Sequence, residues 1–190
     1  LEQRSLLADG SVAAGHDWIV DYTTVWPAPA SRKIFSYKDS SSKGISFGFA
    51  NLASSDQAFF TTAAAAIPFS GAVTGSDIVE YIKGDKTKEK LAGGVFRDRT
   101  NLLGDLVGSS PQYNAQGEDE GYSYLPSAEA ASYFNFYSVI KKARAGRVFV
   151  GSNDGMLHAF NASDGSENFA YVPKTVMANL SSLANPVYSH

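Results

Sequence analysis

No cysteine occurs among the 190 residues, so neither a disulfide nor a thiolate metal site can form, and thiols say nothing of the redox compartment. No apolar run approaches the roughly 18 residues that a membrane-spanning helix requires; the small-residue stretch Thr61 to Ile67 is far too short. Positive charge is scarce: 16 Lys and Arg stand against 19 Asp and Glu, a formal net charge of −3. Nucleic acid, which favours a basic face, is therefore not an expected partner. Histidine is scarce too. His16, His158 and His190 are too few for the metal-dependent hydrolase that the His16-Asp17 pair would otherwise suggest. Methionine and tryptophan number two each, whereas ten Tyr and twelve Phe favour a strand-rich core.

With 44% hydrophobic and 18% charged residues the composition is that of a folded domain. The length suits one domain, or one domain with an appended segment. The chain opens at Leu1 with neither Met nor a signal peptide, and it reads as a piece of a longer protein whose targeting signal would lie elsewhere.

Residues 1–30 lack periodicity and form an irregular lead-in that runs into Trp26-Pro27-Ala28-Pro29-Ala30-Ser31. The aromatic runs Lys33 to Tyr37 and Ile45 to Phe49 flank a polar loop from Lys38 to Gly44. Ile45, Phe47 and Phe49 alternate with Ser46 and Gly48, which predicts a half-buried hairpin over 31–49. Thr74-Gly75-Ser76-Asp77 has the spacing of a capping box, Ile78 and Ile82 share a face, and Gly84 can end the segment; these predict a helix over 74–84. Lys83 to Lys90 reads as a charged surface turn, Gly108 to Pro111 as a strand-ending turn, Gln116 to Gly121 as an acidic loop, and Ser127 as a helix start.

The clearest pattern is a three-stranded meander over 147–172. Arg147 to Val150, Met156 to Asn161 and Glu167 to Val172 are strands, separated by turns at Gly151 to Gly155 and Ser163 to Gly165. Pro173 then suits a first helical position, and Val176, Leu180 and Leu183 predict a helix over 173–185. A single meander cannot close a core, so it is a fragment of a sandwich or of a propeller blade, and no second close copy is present.

Catalytic patterns are weak. Gly44-Ile45-Ser46-Phe47-Gly48 fits the nucleophile-elbow spacing, but a solvated loop precedes it and Ser46 lies within an alternating strand. Asn153, Asp154 and Asp164 are oxygen donors, yet they lack the alternating pattern and terminal Glu of a calcium loop and are ordinary turn formers. His158 shares a strand face with Met156 and Phe160 and is read as a core or propeller-face residue. Lys141, Lys142, Arg144 and Arg147 form a basic cluster that reads as a solvated face, and no phosphate-binding loop is present.

Two segments together resemble the PilC/PilY family of type IV pilus assembly proteins and tip adhesins. One is Phe96-Arg97-Asp98-Arg99 followed by Leu102-Leu103-Gly104-Asp105-Leu106-Val107-Gly108-Ser109-Ser110-Pro111. The other is Val148-Phe149-Val150-Gly151-Ser152-Asn153-Asp154-Gly155-Met156-Leu157-His158-Ala159-Phe160, running on through Phe169-Ala170-Tyr171-Val172-Pro173. Upstream, Ile78 to Asp85 looks like the family's short helix ending in Gly-Asp. The resemblance covers roughly residues 75–190. It marks Gly104, Asp105, Ser109, Ser110, Pro111, Asn153, Asp154, Gly155 and His158 as motif positions with structural roles.

The resemblance implies a mainly β, partial and modified β-propeller over 1–190, with a few short helices in the connections. It implies a non-enzymatic pilus biogenesis factor and tip adhesin module, extracellular at the pilus tip or outer surface, that promotes extension and attachment. Implied partners are the rest of the parent chain, pilins or minor pilins, and a host or abiotic surface, with no membrane insertion. No cofactor is carried over, since the family's calcium loop belongs to a later part of the propeller. The Gln116 to Gly121 and Lys38 to Gly44 loops are the contact candidates. Two alternatives stand beside this reading. A quinoprotein-like dehydrogenase propeller would need a docking Trp, where Phe169 stands, and a carbohydrate-binding propeller would need clustered exposed Trp, whereas only Trp18 and Trp26 exist. An incomplete propeller would expose an apolar blade face, so self-association or dependence on the parent chain is expected.

Overall fold

The computed structural model describes the chain except for residues 22, 67, 115–120, 127, 189 and 190. In chain order its strands are β1 (Glu2–Gln3), β2 (Trp18–Ile19), β3 (Ile34–Lys38), β4 (Lys43–Ser46), β5 (Gln112–Asn114), β6 (Arg147–Gly151), β7 (Leu157–Asn161) and β8 (Glu167–Tyr171). The helices are α1 (Ser54–Ala65), α2 (Gly75–Lys83), α3 (Ala128–Asn135, continuing as a π-helix through Phe136–Lys141) and a terminal 3-10 helix (Lys174–Ala184). One six-stranded sheet in the order β4-β3-β8-β7-β6-β5 organises the fold, and β1 pairs with β2 separately. All neighbours in the large sheet are antiparallel except β3 and β8. The described residues form this open sheet and not a closed propeller ring.

Register decides what is buried. Val150 pairs with His158, His158 with Ala170, and Ala170 with Ile34, so these four form one row across the sheet. All four are buried. Between β7 and β8 the pairing steps from Ala159↔Phe169 to Phe160↔Glu167, which leaves Asn168 out of register and returns Glu167 to the buried face. That face packs against α1, α2 and the terminal 3-10 helix through Phe60, Ile78, Tyr81, Phe96, Met177 and Leu180. A second cluster joins Trp18 and Val20 to Leu103, Val148, Val150 and Phe160. On the opposite face Phe169 touches Phe35 and Phe149 edge to face, at 6.2 and 6.3 Å between centroids, and Phe35 and Tyr37 stay exposed.

The box at the start of α2 is formed: the Asp77 amide donates to Thr74 Oγ1 at 3.2 Å and the Thr74 amide to Asp77 Oδ2 at 2.8 Å. Elsewhere the structure corrects the sequence reading. β4 ends at Ser46, and Phe49 belongs to a short 3-10 helix (Phe49–Asn51), so the alternation of Ile45, Phe47 and Phe49 is not one strand face. The expected polar loop shrinks to a turn at Asp39–Ser41 with Ser42 left-handed, because Lys38 pairs with Lys43. Helix α1 has no amphipathic signature in the sequence, because its apolar and polar residues are mixed around the axis; only Asp56, Phe60 and Ala64 are buried. The Gly108 to Pro111 turn precedes a strand, β5, whose three residues are all exposed and carry no alternation. Pro173 is the extended N-cap, not a first helical residue, and the helix that follows is a 3-10 helix that buries Met177, Leu180 and Ala184. The lead-in is not irregular throughout, since β1 pairs with β2. The helix start expected at Ser127, and residues 116–120 of the acidic loop, lie outside the described residues.

Candidate functional site

The site grows from the turn between β6 and β7. Asp154 closes that turn on itself, its Oδ1 accepting the Met156 amide at 3.0 Å and the Ser152 hydroxyl. Its other oxygen, Oδ2, accepts the amide of Gly104 at 3.1 Å, fifty residues earlier. Two further bonds run between the same segments: the Asn153 amide donates to the Asp105 carbonyl at 3.0 Å, and the Gly151 amide to Ser109 Oγ at 3.0 Å. The two motif segments are thus one object, with the irregular 102–109 segment strapped onto the turn. Gly104 is required by the contact, because a Cβ there would lie 2.4 Å from the Asp154 nitrogen. Ser110 and Pro111 stand beyond this contact and lead into β5. Gly155 has a positive φ of 83° and packs under Leu180.

Behind Asp154 the charge runs inward. His158 is fully buried, with Nε2 2.9 Å from Asp154 Oδ2 and Nδ1 2.9 Å from Glu167 Oε1. Glu167 in turn accepts two bonds of 2.7 Å from Arg32, from Nε and Nη2, and Arg32 Nη1 reaches the Lys83 carbonyl at the end of α2 at 2.8 Å. Trp26 lies under the Arg32 guanidinium, at 5.1 Å, and meets His158 and Phe160 edge on. A histidine with a carboxylate at each ring nitrogen must donate from both, which requires the imidazolium. Burial alone would lower its pKa, but the Asp154 and Glu167 carboxylates outweigh burial and hold it up at about 9. Burial likewise opposes ionisation of Asp154 and Glu167, and the charged partners hold both carboxyls below their ordinary values. The four side chains sum to zero charge, the arrangement in which buried ions are tolerated.

The arginines of the first motif segment clamp α2. Arg99 donates to Glu89 Oε1 at 2.8 Å, to the Tyr81 carbonyl in the last turn of α2 at 2.6 Å, where the Gly84 amide also bonds, and to the Asp85 carbonyl just beyond the helix at 2.8 Å. Arg97 Nε donates to the Leu183 carbonyl at 3.0 Å, tying this segment to the terminal 3-10 helix. A polar groove of about 340 Å³ lies between the clamp and the strap, lined by Arg97, Asp98, Asn101, Asp105, Asn153 and Asp154 among others.

Of the motif positions, Gly104, Asp105, Ser109, Asn153, Asp154 and His158 come together. Sequence reasoning missed Arg32 and Glu167, since charged residues read as solvated, and Trp26, which stands in a lead-in without periodicity. The available signal was His158 itself, a titratable group on an otherwise apolar strand face. It also missed Trp18. Phe169 does stand on the outer face, but Trp18 from the lead-in covers Gly165, where a Cβ would fall 2.6 Å from the ring, and its Nε1 donates to the Ala162 carbonyl at 2.9 Å. Ser46 pairs with Phe35 inside β4 and is followed by a short 3-10 helix, so it presents no elbow. Among the described residues no group of three or more His, Cys, Asp or Glu is arranged to hold a metal ion, and no helix is long and apolar enough to cross a membrane.

Residues 103–188 match the family described as the PilY1 beta-propeller domain. A type IV pilus biogenesis factor PilY1 homolog of Xylella fastidiosa (strain Temecula1 / ATCC 700964) is 41% identical over 128 residues, covering 64% of this chain and 9% of that protein. The type IV pilus biogenesis factor PilY1 of Pseudomonas aeruginosa strain PAK is 39% identical over 109 residues, 57% of this chain and 9% of that one. That of strain UCBPP-PA14 is 32% identical over 162 residues, 85% of this chain and 14% of that one. The chain therefore spans only 9% to 14% of the length of these relatives. No solved structure matches it. The matched stretch begins at Leu103 and contains the strap from its second residue, the turn and the whole β5–β8 meander, and on that basis residues 103–188 belong to the PilY1 β-propeller domain family of type IV pilus biogenesis factors.

Proposed function

We propose that this chain is a non-enzymatic module of a type IV pilus biogenesis factor that acts at the pilus tip or outer cell surface, promoting pilus extension and surface attachment. The observation that carries the reading is the coincidence of the PilY1 match with the strapped meander, in relatives named as pilus biogenesis factors. The work of such a module is recognition by loops on a rigid scaffold, and the buried charges supply the rigidity.

β5 to β8 form a four-stranded antiparallel meander, the unit of a propeller blade. In a propeller each blade covers its neighbour, so the rest of the parent chain is the first partner of the outer face that carries Phe35, Tyr37, Phe149 and Phe169. Pilins or minor pilins and a host or abiotic surface are the further partners in this reading. Calcium, where the family uses it, is assigned to another part of the propeller.

The test is a count of surface pili on cells whose parent gene lacks this segment, beside a double mutant that also cannot retract pili. Loss of pili in the first strain and recovery in the second is the expected result. Unchanged pili in both strains would sink the assembly role and return attention to quinone or carbohydrate binding.

A further inference from the structure

The contacts of His158 are asymmetric. On one side Glu167 is pinned by two bonds from Arg32 and its side chain is 2% exposed; on the other, the Asp154 side chain is 15% exposed and borders the polar groove. A neutral imidazole carries one N–H and one lone pair, so it can satisfy only one of two flanking carboxylates. The remaining N–H stays with Glu167, which cannot turn away from Arg32. The Nε2 lone pair then faces Asp154 Oδ2, the same oxygen that accepts the Gly104 amide. Of the two carboxylates only that of Asp154 is open enough to solvent to turn away.

We propose that the Leu102 to Ser109 segment is a strap whose seating on the β6–β7 turn is controlled by the proton on His158: when the imidazole becomes neutral, Asp154 swings into the groove and the strap loosens at Gly104 while the sheet stays folded. The charged groups facing the imidazole are Asp154 from the β6–β7 turn and Glu167 from β8, with Arg32 behind Glu167 from the segment before β3. The rings of Trp26 and Phe160 close its remaining sides. Leu103, the Asp105 carbonyl and Ser109 Oγ still hold the strap loosely, so the change is local.

The direction with pH follows from linkage. His158 titrates at about 9 when folded against 6.5 for the unperturbed group. Its stabilising contacts are therefore whole below pH 6.5 and are lost as pH rises through 9.

Backbone hydrogen exchange of the 190-residue chain at pH 6.5 and 9.5, corrected for intrinsic rates, reads this directly. Protection of the Gly104 amide is expected to fall at least tenfold while the amides of β7 change by less than about threefold. In the Asp154→Asn variant, whose amide oxygen can keep the Gly104 bond without a charge while its NH2 gives up the bond from the Met156 amide, the ratio of Gly104 to β7 protection is expected to be independent of pH. A wild-type ratio that does not move, a loss shared equally by β7, or a fall that persists in Asp154→Asn would each overturn the proposal.

Discussion

Replacing Arg32 by Met is expected to cost about 3–5 kcal/mol of folding stability, because it leaves the Glu167 carboxylate buried without its bidentate partner. The Arg32 and Glu167 side chains are both 2% exposed, so water cannot take over. Urea denaturation of the 190-residue chain checks this through the shift in midpoint at constant slope. The double variant Arg32→Met with Glu167→Gln removes both charges and leaves Asp154 and His158 as a neutral pair. It is expected to recover much of the loss, a non-additivity that distinguishes a buried ion pair from two independent packing residues. A single-variant cost under about 1 kcal/mol, the scale of surface ion pairs, would show that Arg32 is solvated.

The second large effect is expected at Gly104. Its missing Cβ would meet backbone atoms, the Asp154 nitrogen at 2.4 Å and the Asn153 carbonyl carbon at 2.9 Å, and backbone cannot rotate out of the way. Gly104→Ala must push the strap off the turn, with loss of the Asp154 bond and of the burial of Leu103. About 2–4 kcal/mol is expected from overpacking and an unmade hydrogen bond to a charged group together. Gly108 is the internal control. It lies in the same strap with nothing within 4 Å of its Cβ position, so Gly108→Ala is expected to stay within about 0.5 kcal/mol. Equal effects at the two glycines would remove the close contact as the explanation.

These two residues mark the limits of what the sequence discloses. Gly104 was legible as a motif position, but its reason lies in a turn fifty residues away that only the fold brings near. Arg32 was not legible at all. Its partner Glu167 is 135 residues distant, and nothing local separates a buried arginine from a solvated one. The meander and the α2 cap were readable because both are local: alternation, turn glycines and the Thr74–Asp77 spacing act within a few residues. Helix α1 and strand β5 were not, since one mixes apolar and polar residues around its axis and the other exposes all three of its residues. Trp18 stood in a segment without periodicity, and its place over Gly165 depends on a hydrogen bond to a carbonyl 144 residues on.

A charged histidine, held between two carboxylates, joins the strap, the blade and the segment before β3 into one unit. The most direct measurement is a titration of the His158 ring by nitrogen-15 NMR, with both ring nitrogens observed. Both are expected to stay protonated at neutral pH and to lose a proton with a midpoint near pH 9, with Asp154→Asn and Glu167→Gln each lowering that midpoint. A His158 that titrates near 6.5, as the free side chain does, or that carries a single proton at neutral pH, would contradict it.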